Sequence, residues 1–277
     1  MTRFVIPDGV SRFLRVSHDD PRVAPYMSVR EKDLVGREGR FIAEGMNVVR
    51  VLVSPRSLYA VESVMISEKR EDALAELGVP EHVPIYSLAQ ADMDRLTGFH
   101  IHRGVLAVGK RSRAEDAAPL GITVGSGPAL VVALMGIVNH DNGGGIFRNA
   151  AAFGADLVVM DDVSCDPLYR KAIRVSVGGA LTVPMRRFES AAAMLEWLQN
   201  AHFDTLALSP RGRERMADVK RESKTAILLG PEGPGLPEEL LAKLRTVRIP
   251  MSPQFDSLNV SVSSGIALSV LGARPSW

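Results

Sequence analysis

The sequence lacks the residues that mark disulfide-bonded proteins. It contains one cysteine, Cys165, which excludes an internal disulfide framework and fits a reducing compartment such as the cytoplasm. A lone cysteine can be a nucleophile, but no histidine or other base accompanies Cys165 in a recognisable pattern. We therefore interpret it as an unreactive thiol, and we expect no metal site.

Long apolar runs are also missing. The longest, residues 127–138, is far shorter than the roughly 20 residues that span a bilayer. Charged residues interrupt the first 16 positions, which lack the apolar segment and small-residue cleavage site of a signal peptide. We expect a soluble cytoplasmic protein with no membrane partner.

The chain has no excess of charge of one sign and few aromatic residues. Its 33 Lys and Arg residues balance 32 Asp and Glu residues, which argues against coating nucleic acid by bulk charge but leaves room for local basic patches. We expect no DNA partner. Aromatic residues make up 5% of the sequence, and from sequence alone no base-stacking platform can be identified.

The 277 residues, of which 46% are apolar, are enough for one large or two ordinary domains. Composition shifts across residues 111–127, which are first charged and then rich in Gly, Ser and Pro, as in an interdomain linker. Residues 1–110 alternate predicted helices (33–53, 70–78) with predicted strands (61–67, 83–88, 103–111). This pattern indicates a small α/β domain.

Residues 128–277 predict a second α/β domain with clearer strands. Continuous apolar runs alternate with helices, which is typical of a parallel sheet covered on both faces. The predicted strands are residues 129–138, 155–162, 179–185, 203–209, 225–230 and 246–251, and the clearest helices are 189–201 and 237–245.

Three of these strands end in conspicuous loops, and ligands of such sheets gather at the carboxyl ends of strands. The first loop, residues 139–154, reads NHDNGGGIFRNAAAFG. Its glycines allow a close backbone approach or a positive φ, and Arg148 follows in the first turns of a predicted helix. The alternative is a flexible turn with a surface arginine.

The second loop is Leu228–Leu240. Its glycines do not have the spacing of a dinucleotide fingerprint, and no Lys-Ser or Lys-Thr follows as in a P-loop. Glu232 would repel a phosphate and suits a positively charged ligand better. The alternative is a proline-rich turn with a solvated glutamate.

The third loop lies between a strand ending at Met251 and a helix starting near Asn259. Ser257 or Asn259 could cap that helix and do nothing more. The helix is mostly small and apolar, which suits close packing against another helix.

Taken together, the three segments resemble the SpoU/TrmH branch of the SPOUT RNA methyltransferases. The branch has N-x-x-N-x-G-x-x-x-R, then G-x-E-G-x-G, then I-P followed by S-L-N-V-S. The matching residues are Asn139, Asn142, Gly144 and Arg148; Gly230, Glu232, Gly233 and Gly235; and Ile249, Pro250 and residues 257–261. The resemblance covers residues 129–154 and 226–272. Segments FIAEGMNVVR and HRGVLAV resemble, more weakly, the substrate-binding domain often fused in front of these enzymes.

This resemblance implies a parallel-sheet domain with a deep trefoil knot, which is a rare exception among folds, and a homodimer whose active site lies at the subunit interface. The implied cofactor is S-adenosylmethionine. By resemblance, Gly230, Ile249, Met251 and Leu258 contact it.

The implied reaction is methyl transfer to a ribose 2′-hydroxyl of RNA. Arg148 matches the catalytic arginine of the family. Because a guanidinium is effectively always protonated, we expect it to stabilise the developing alkoxide or clamp a phosphate rather than act as the base. Asn142, Glu232, Ser257 and Asn259 match residues that shape the active site, and Glu232 is expected to orient Arg148 or Asn142.

Four residues near Arg148 add narrower expectations. Asn139 is expected to be structural, and His140 is a less favoured candidate for a base. Gly143 and Gly145 stand where the family more often has larger apolar residues, so we expect them to loosen the loop that carries Arg148.

The resemblance assigns RNA recognition mainly to the first domain, and it favours ribosomal over transfer RNA because minimal transfer RNA enzymes lack such a domain. Candidates for phosphate contacts are Arg111, Arg113, Arg170, Lys171, Arg174, Arg211, Arg213 and Arg215, with solvated surface as the alternative for each. Three other functions stay open: a catalytically inactive RNA-binding or dimerisation module, a nucleotide-dependent dehydrogenase, and methylation of a base atom.

Overall fold

The computed structural model describes residues 12–27, 39–75, 77–98, 100–101, 104–111 and 127–272. Their packing divides the chain into two compact units. One contains the described residues of Met1–Arg113 together with Leu168–Thr182, and the other those of Ala114–Pro167 and Val183–Trp277. Of the predicted linker, only Arg111 and Gly127 lie within the described residues. The domain boundaries predicted from the sequence place Leu168–Thr182 in the second domain.

The elements up to residue 111 alternate strands and helices. They are β1 Phe13–Arg15, β2 Arg40–Glu44, α1 Met46–Val53, β3 Ala60–Ser67, α2 Glu71–Ala75, β4 Ile85–Leu88, α3 Gln90–Thr97 and β5 Val105–Lys110. The described residues of this part form a sheet of five strands in the order β1-β4-β3-β5-β2. The β1–β4 and β4–β3 pairs are parallel, whereas β5 pairs antiparallel with both β3 and β2.

The helix predicted over residues 33–53 is wrong in its middle, where Arg40–Glu44 is a strand. Phe41 and Ala43 are buried on one face of β2, and Phe41 is paired with Gly109 of β5. A side chain at position 109 would collide with the Phe41 ring. This cross-strand packing overrides the helical periodicity of the segment. Gly45, at φ +94°, then turns the chain into α1.

The elements from residue 127 onward continue the alternation. They are β6 Ala129–Leu134, α4 His140–Ala152, β7 Leu157–Met160, α5 Arg170–Val175, β8 Met185–Arg187, α6 Ala191–Asn200, β9 Asp204–Leu208, β10 Glu214–Arg215, β11 Lys224–Leu229, α7 Glu238–Lys243, β12 Arg245–Arg248 and α8 Val260–Leu271. Of these, α5 belongs to the first unit, where Arg170 and Arg174 both approach the buried carboxylate of Glu44.

The described residues of the second unit form one sheet of seven strands in the order β10-β12-β9-β11-β6-β7-β8. Every pairing in it is parallel, which confirms the predicted α/β fold with a parallel sheet. The central strands β6 and β11 are almost wholly buried. Their side chains form a core with residues of α6 and β7, including Leu157, Val159, Met194 and Leu198.

The strand predicted at residues 179–185 is wrong. Gly179–Leu181 form a 3-10 turn that begins after Gly178, whose φ is +84°, and β8 starts only at Met185. Positive φ interrupts an extended chain, and Pro184 cannot donate to a ladder.

Because all seven strands are parallel, the loops that follow β6, β11 and β12 emerge at the same edge of the sheet. They are the three loops that the sequence singled out.

Candidate active site

The three loops meet through one side chain. The Asn259 amide nitrogen donates to Oδ1 of Asn142 at 2.9 Å and to Oε1 of Glu232 at 2.8 Å. Each of the three residues belongs to a different sequence motif. Glu232 was expected to orient Arg148 or Asn142, and in the structure its carboxylate instead accepts from Asn259.

Asn259 also caps helix α8. Its Oδ1 accepts from the backbone N–H groups of Ser261 at 2.9 Å and Val262 at 3.3 Å, so the capping role predicted for this position is present. The amide therefore uses both of its N–H groups and its oxygen. A side chain with all of these partners is held in one orientation, and it fixes Glu232 relative to the ends of two helices.

Helix α4 starts earlier than expected. Asn139 is its N-cap and accepts from the N–H of Asp141 at 2.8 Å, in keeping with the structural role predicted for it. Asn142 and the three glycines thus lie inside the helix, and Arg148 is in its third turn. The expectation that Gly143 and Gly145 loosen a loop is wrong, because both are helical.

The glycines instead allow close packing of α4. A Cβ at Gly145 would lie 2.8 Å from Cβ of Ser261 in α8 and would overlap its hydroxyl, while a Cβ at Gly143 would lie 2.6 Å from Sγ of Cys165. Gly265 of α8 faces Asn149, whose side chain a Cβ there would approach to 3.2 Å. Small residues on both helices thus let their backbones approach, as the composition of the last helix suggested.

Asn149 ties the two helices together, and the sequence analysis missed it. Its amide nitrogen donates to the Ser261 carbonyl at 2.7 Å and to Oγ of Ser264 at 2.9 Å. Ser264 is fully buried. The signal in the sequence is the asparagine that directly follows Arg148, seven residues after Asn142, and therefore on nearly the same face of the helix as Asn142.

Arg148 is exposed on α4. Among the described residues its side chain forms no ion pair or hydrogen bond, so its guanidinium is free to meet a ligand. Ser257 is likewise exposed, two residues before Asn259. Asn259 thus bonds both Asn142 and Glu232, whereas the side chains of Arg148 and Ser257 form no hydrogen bond with these three residues.

The residues expected at the cofactor follow β11 and β12. Gly230 directly follows β11, and a Cβ there would lie 2.7 Å from Cγ and 2.9 Å from the backbone nitrogen of Leu236. The loop therefore folds back on itself in a way that only glycine permits. Ile249 and Met251 are half-buried, and Leu258 is 40% exposed. These apolar side chains remain partly open to a ligand at the carboxyl edge of the sheet.

A buried carboxylate, also missed from sequence, holds the loop between β6 and α4. Asp161 is 2% exposed. Its Oδ2 accepts from the Gly136 N–H at 2.8 Å, and its Oδ1 accepts from the backbone and hydroxyl of Ser164 at 2.9 and 2.5 Å. The Ser164 hydroxyl accepts in turn from the N–H of Ile137 at 3.1 Å. These bonds satisfy a carboxylate that would otherwise be costly to bury.

Arg187 supports the same region from the other side. Its guanidinium donates to the carbonyls of Asp161 at 2.7 Å, Ser164 at 2.8 Å and Cys165 at 3.0 Å. The start of α4 thus rests on a segment that is itself fixed by an arginine.

Cys165 belongs to this segment. Its thiol donates to the carbonyl of Asn139 at 3.7 Å, and burial raises its pKa to about 11. A thiol with this pKa stays protonated near neutral pH and is a poor nucleophile. This agrees with the interpretation of Cys165 as unreactive.

Most basic candidates for phosphate contacts have partners within the protein. Arg211 pairs with Glu238 at 3.1 Å, Arg215 with Asp218 at 3.6 Å, and Arg170 with Glu44 at 2.7 Å. Arg213 donates to the carbonyl of Leu244 at 2.7 Å. Arg113 lies outside the described residues.

Across the part of the chain that the structure describes, no helix is long and apolar enough to cross a membrane. No group of three or more His, Cys, Asp or Glu residues in that part could hold a metal ion.

The sequence is similar to known RNA methyltransferases. A sequence model of the SpoU rRNA Methylase family matches residues 129–269. An uncharacterised tRNA/rRNA methyltransferase of Mycobacterium bovis is 39% identical over 277 positions, which cover 94% of this chain and 92% of the relative. A second M. bovis protein with the same description is 28% identical and covers 83% of this chain and 71% of its own length.

Solved structures share the fold. An AdoMet-bound rRNA methyltransferase from Sinorhizobium meliloti superposes with a TM-score of 0.74 at 21% identity, over 94% of this chain and 97% of its own. An RNA 2′-O ribose methyltransferase superposes with a TM-score of 0.73 at 24% identity, over 93% of this chain and 97% of its own. At these identities the likeness concerns the fold alone.

Proposed function

The chain belongs to the SpoU rRNA methylase family, and we propose that it transfers a methyl group from S-adenosylmethionine to a ribose 2′-hydroxyl of RNA. The observation that carries the proposal is the hydrogen-bonded group Asn142–Asn259–Glu232. One residue from each family motif takes part in it, at the sheet edge where ligands of this fold class bind.

The residues around Gly230 fit the cofactor. Gly230 brings the backbone of the second loop close to Leu236, and such a tight loop presents main-chain groups to a flat adenine. Ile249, Met251 and Leu258 offer partly exposed apolar side chains for its faces. The Glu232 carboxylate suits a ligand that carries positive charge. When bound, S-adenosylmethionine supplies an electrophilic methyl group whose bonding pair stays with the sulfur.

Arg148 acts on the ribose. The hydroxyl oxygen forms the new bond to carbon and loses its proton, which passes to water or to a phosphate oxygen. The guanidinium stabilises the developing alkoxide or holds the adjacent phosphate, since it cannot itself accept a proton. Asn142, Asn259 and Ser257 position the nucleotide, and positioning of reactants can contribute about 7–11 kcal/mol.

The active form in this proposal is a homodimer with its sites completed at the interface. Helix α8 packs one face on α4 and leaves an apolar stripe open on the other, with Val262 53%, Ile266 36% and Val270 37% exposed. Their spacing of four residues places them in one line along the helix. A second copy of the same stripe is the simplest cover for it.

Three further parts of the proposal rest on family resemblance. The C-terminal segment of the parallel-sheet domain threads through a loop to make a deep trefoil knot. The domain of residues 1–110 binds the RNA, and the linker spans residues 111–127. Ribosomal RNA is favoured over transfer RNA, in the cytoplasm.

The test is methyl transfer from tritium-labelled S-adenosylmethionine to separated ribosomal and transfer RNA from cells lacking the gene. We expect label in one RNA class, at a ribose, and a loss of at least 100-fold in kcat for Arg148→Ala, as for removal of one stabilising donor. Lys243→Ala is the matched control, because it removes one exposed positive charge from α7 and should leave the rate unchanged. Label in neither RNA, together with no binding of S-adenosylmethionine, would overturn the methyltransferase and leave the inactive RNA-binding module.

A further inference from the structure

Phe255 stands out among the aromatic residues. Among the described Phe, Tyr and Trp residues it is the only one that is exposed, with 72% of its surface accessible. It lies in the exposed run 252–259, four residues before Asn259. A phenylalanine left in water forgoes the stabilisation that burial of its ring would contribute. We therefore expect a bound molecule to cover this exposed ring beside the candidate active site.

The loop holds this ring outward. The N–H of Phe255 donates to the carbonyl of Ser252 at 3.0 Å and closes a turn. Pro250 and Pro253 each restrict the backbone, because a proline ring fixes φ. Downstream, Asn259 anchors the loop to α8 and to Glu232. The ring is thus presented by a restrained backbone.

The neighbours of Phe255 are polar. Gln254, Asp256 and Ser257 are all exposed. Within the described part of the chain, no hydrogen bond is recorded for the Asp256 carboxylate or the Ser257 hydroxyl. An apolar protein surface would leave these groups without partners. A nucleobase has apolar faces that can stack on a ring and a polar edge that can bond to the neighbouring groups.

We propose that Phe255 stacks on an unpaired base of the RNA substrate, while the Asp256 carboxylate accepts hydrogen bonds from N–H groups on the edge of that base. This inference rests on the proposed RNA substrate. It makes Phe255 a substrate-binding residue, and it supplies the stacking platform that the sequence alone did not identify.

The test measures RNA binding of the full-length protein by fluorescence anisotropy. The probes are a short labelled single-stranded RNA of mixed sequence and a duplex of the same sequence. We expect Phe255→Ala to weaken single-strand binding by about 5- to 150-fold, the range of ~1–3 kcal/mol for base–aromatic stacking. Phe255→Trp should retain the affinity, and Phe255→Leu should be as weak as alanine because it has no flat face. Duplex binding should not change.

Two further measurements distinguish a loss of base stacking from a loss of cofactor binding and from a loss of dimerisation. Calorimetry should give the same affinity for S-adenosylmethionine in all variants, and light scattering should give the same mass. The inference is overturned if alanine binds single strands like the wild type, if leucine restores binding, or if alanine dissociates a dimer. Wild-type protein that binds single strands through Phe255 but transfers no methyl group would defeat the proposed reaction and leave the stacking intact.

Discussion

Substitution of Gly145 by alanine tests the close packing of α4 on α8. In an open helix, Gly→Ala stabilises by about 1 kcal/mol. Here the new Cβ would lie 2.8 Å from Cβ of Ser261 and would overlap its hydroxyl. Rotating the hydroxyl away relieves only part of this, because the contact with Ser261 Cβ moves only if the helices separate.

The magnitude follows from two opposing terms. Overpacking of this kind costs about 1–3 kcal/mol, against the gain of about 1 kcal/mol in helix propensity. We therefore expect Gly145→Ala to lie between neutral and about 2 kcal/mol destabilising, instead of stabilising. Separation of the helices would also strain the bonds from Asn149 to Ser261 and Ser264, at 2.7 and 2.9 Å, and the Asn142–Asn259 bond, so kcat should fall as well.

A double-mutant cycle with Ser261→Gly isolates the contact. The second substitution removes both atoms that the new Cβ would meet, so the pair should recover about 1–3 kcal/mol relative to the sum of the single changes. Thermal and urea unfolding provide the assay. A higher Tm for Gly145→Ala alone, or a coupling energy near zero, would refute the close approach of the two helices.

Three further predictions address other regions. Ile266→Asp in the open stripe of α8 should give a monomer with little activity. Val163→Asp, which changes an apolar residue that is 59% exposed against 36% for Ile266, should leave the mass unchanged. The same mass for both variants by light scattering would contradict this. Cys165 should react with iodoacetamide at pH 8 about 100-fold more slowly than an unperturbed thiol, and its rate should keep rising towards pH 11, because burial raises its pKa from 9.0 to about 11; a plateau near pH 9 would disprove the burial. The same shift means that the folded state holds this proton more tightly, so stability should decline as pH rises from about 9 to 11. Val177→Gly should raise stability by about 1 kcal/mol, because a β-branched residue at φ +52° is strained where glycine is not; unchanged or lower stability on urea unfolding would show that the strain is absent.

The parallel sheet of the second unit was predictable because its strands are buried on both faces. A continuous apolar run such as residues 225–230 needs no knowledge of its neighbours to be recognised, and the strand is found there as Lys224–Leu229. The secondary-structure predictions were wrong where tertiary contacts determine the local conformation. Residues 40–44 follow a helical pattern, but the pairing of Phe41 with Gly109 makes them a strand. The burial of a ring against a residue far along the chain has no local signal.

The glycines of the first motif show the same limit at the candidate site. Three consecutive glycines favour a loop on intrinsic propensity, since each costs about 1 kcal/mol in a helix relative to alanine. In the structure they are helical, and Gly145 and Gly143 face Ser261 and Cys165 at distances that admit no side chain. Ser261, which requires a glycine at position 145, lies more than a hundred positions further along the chain, so the sequence around Gly145 does not reveal it.

The contact between the motifs could not be deduced from their order. β6 and β11 are neighbours in the sheet, but β12 is separated from β11 by β9, so the third loop must cross towards the other two before α8 begins. Asn259 fixes the end of this loop against the other two, because its amide nitrogen donates to Asn142 and Glu232 while its oxygen caps α8. An aspartate could cap α8 equally well but would have no N–H groups for Glu232 or Asn142. The choice of asparagine therefore reflects the site rather than the helix, which the sequence alone left undecided.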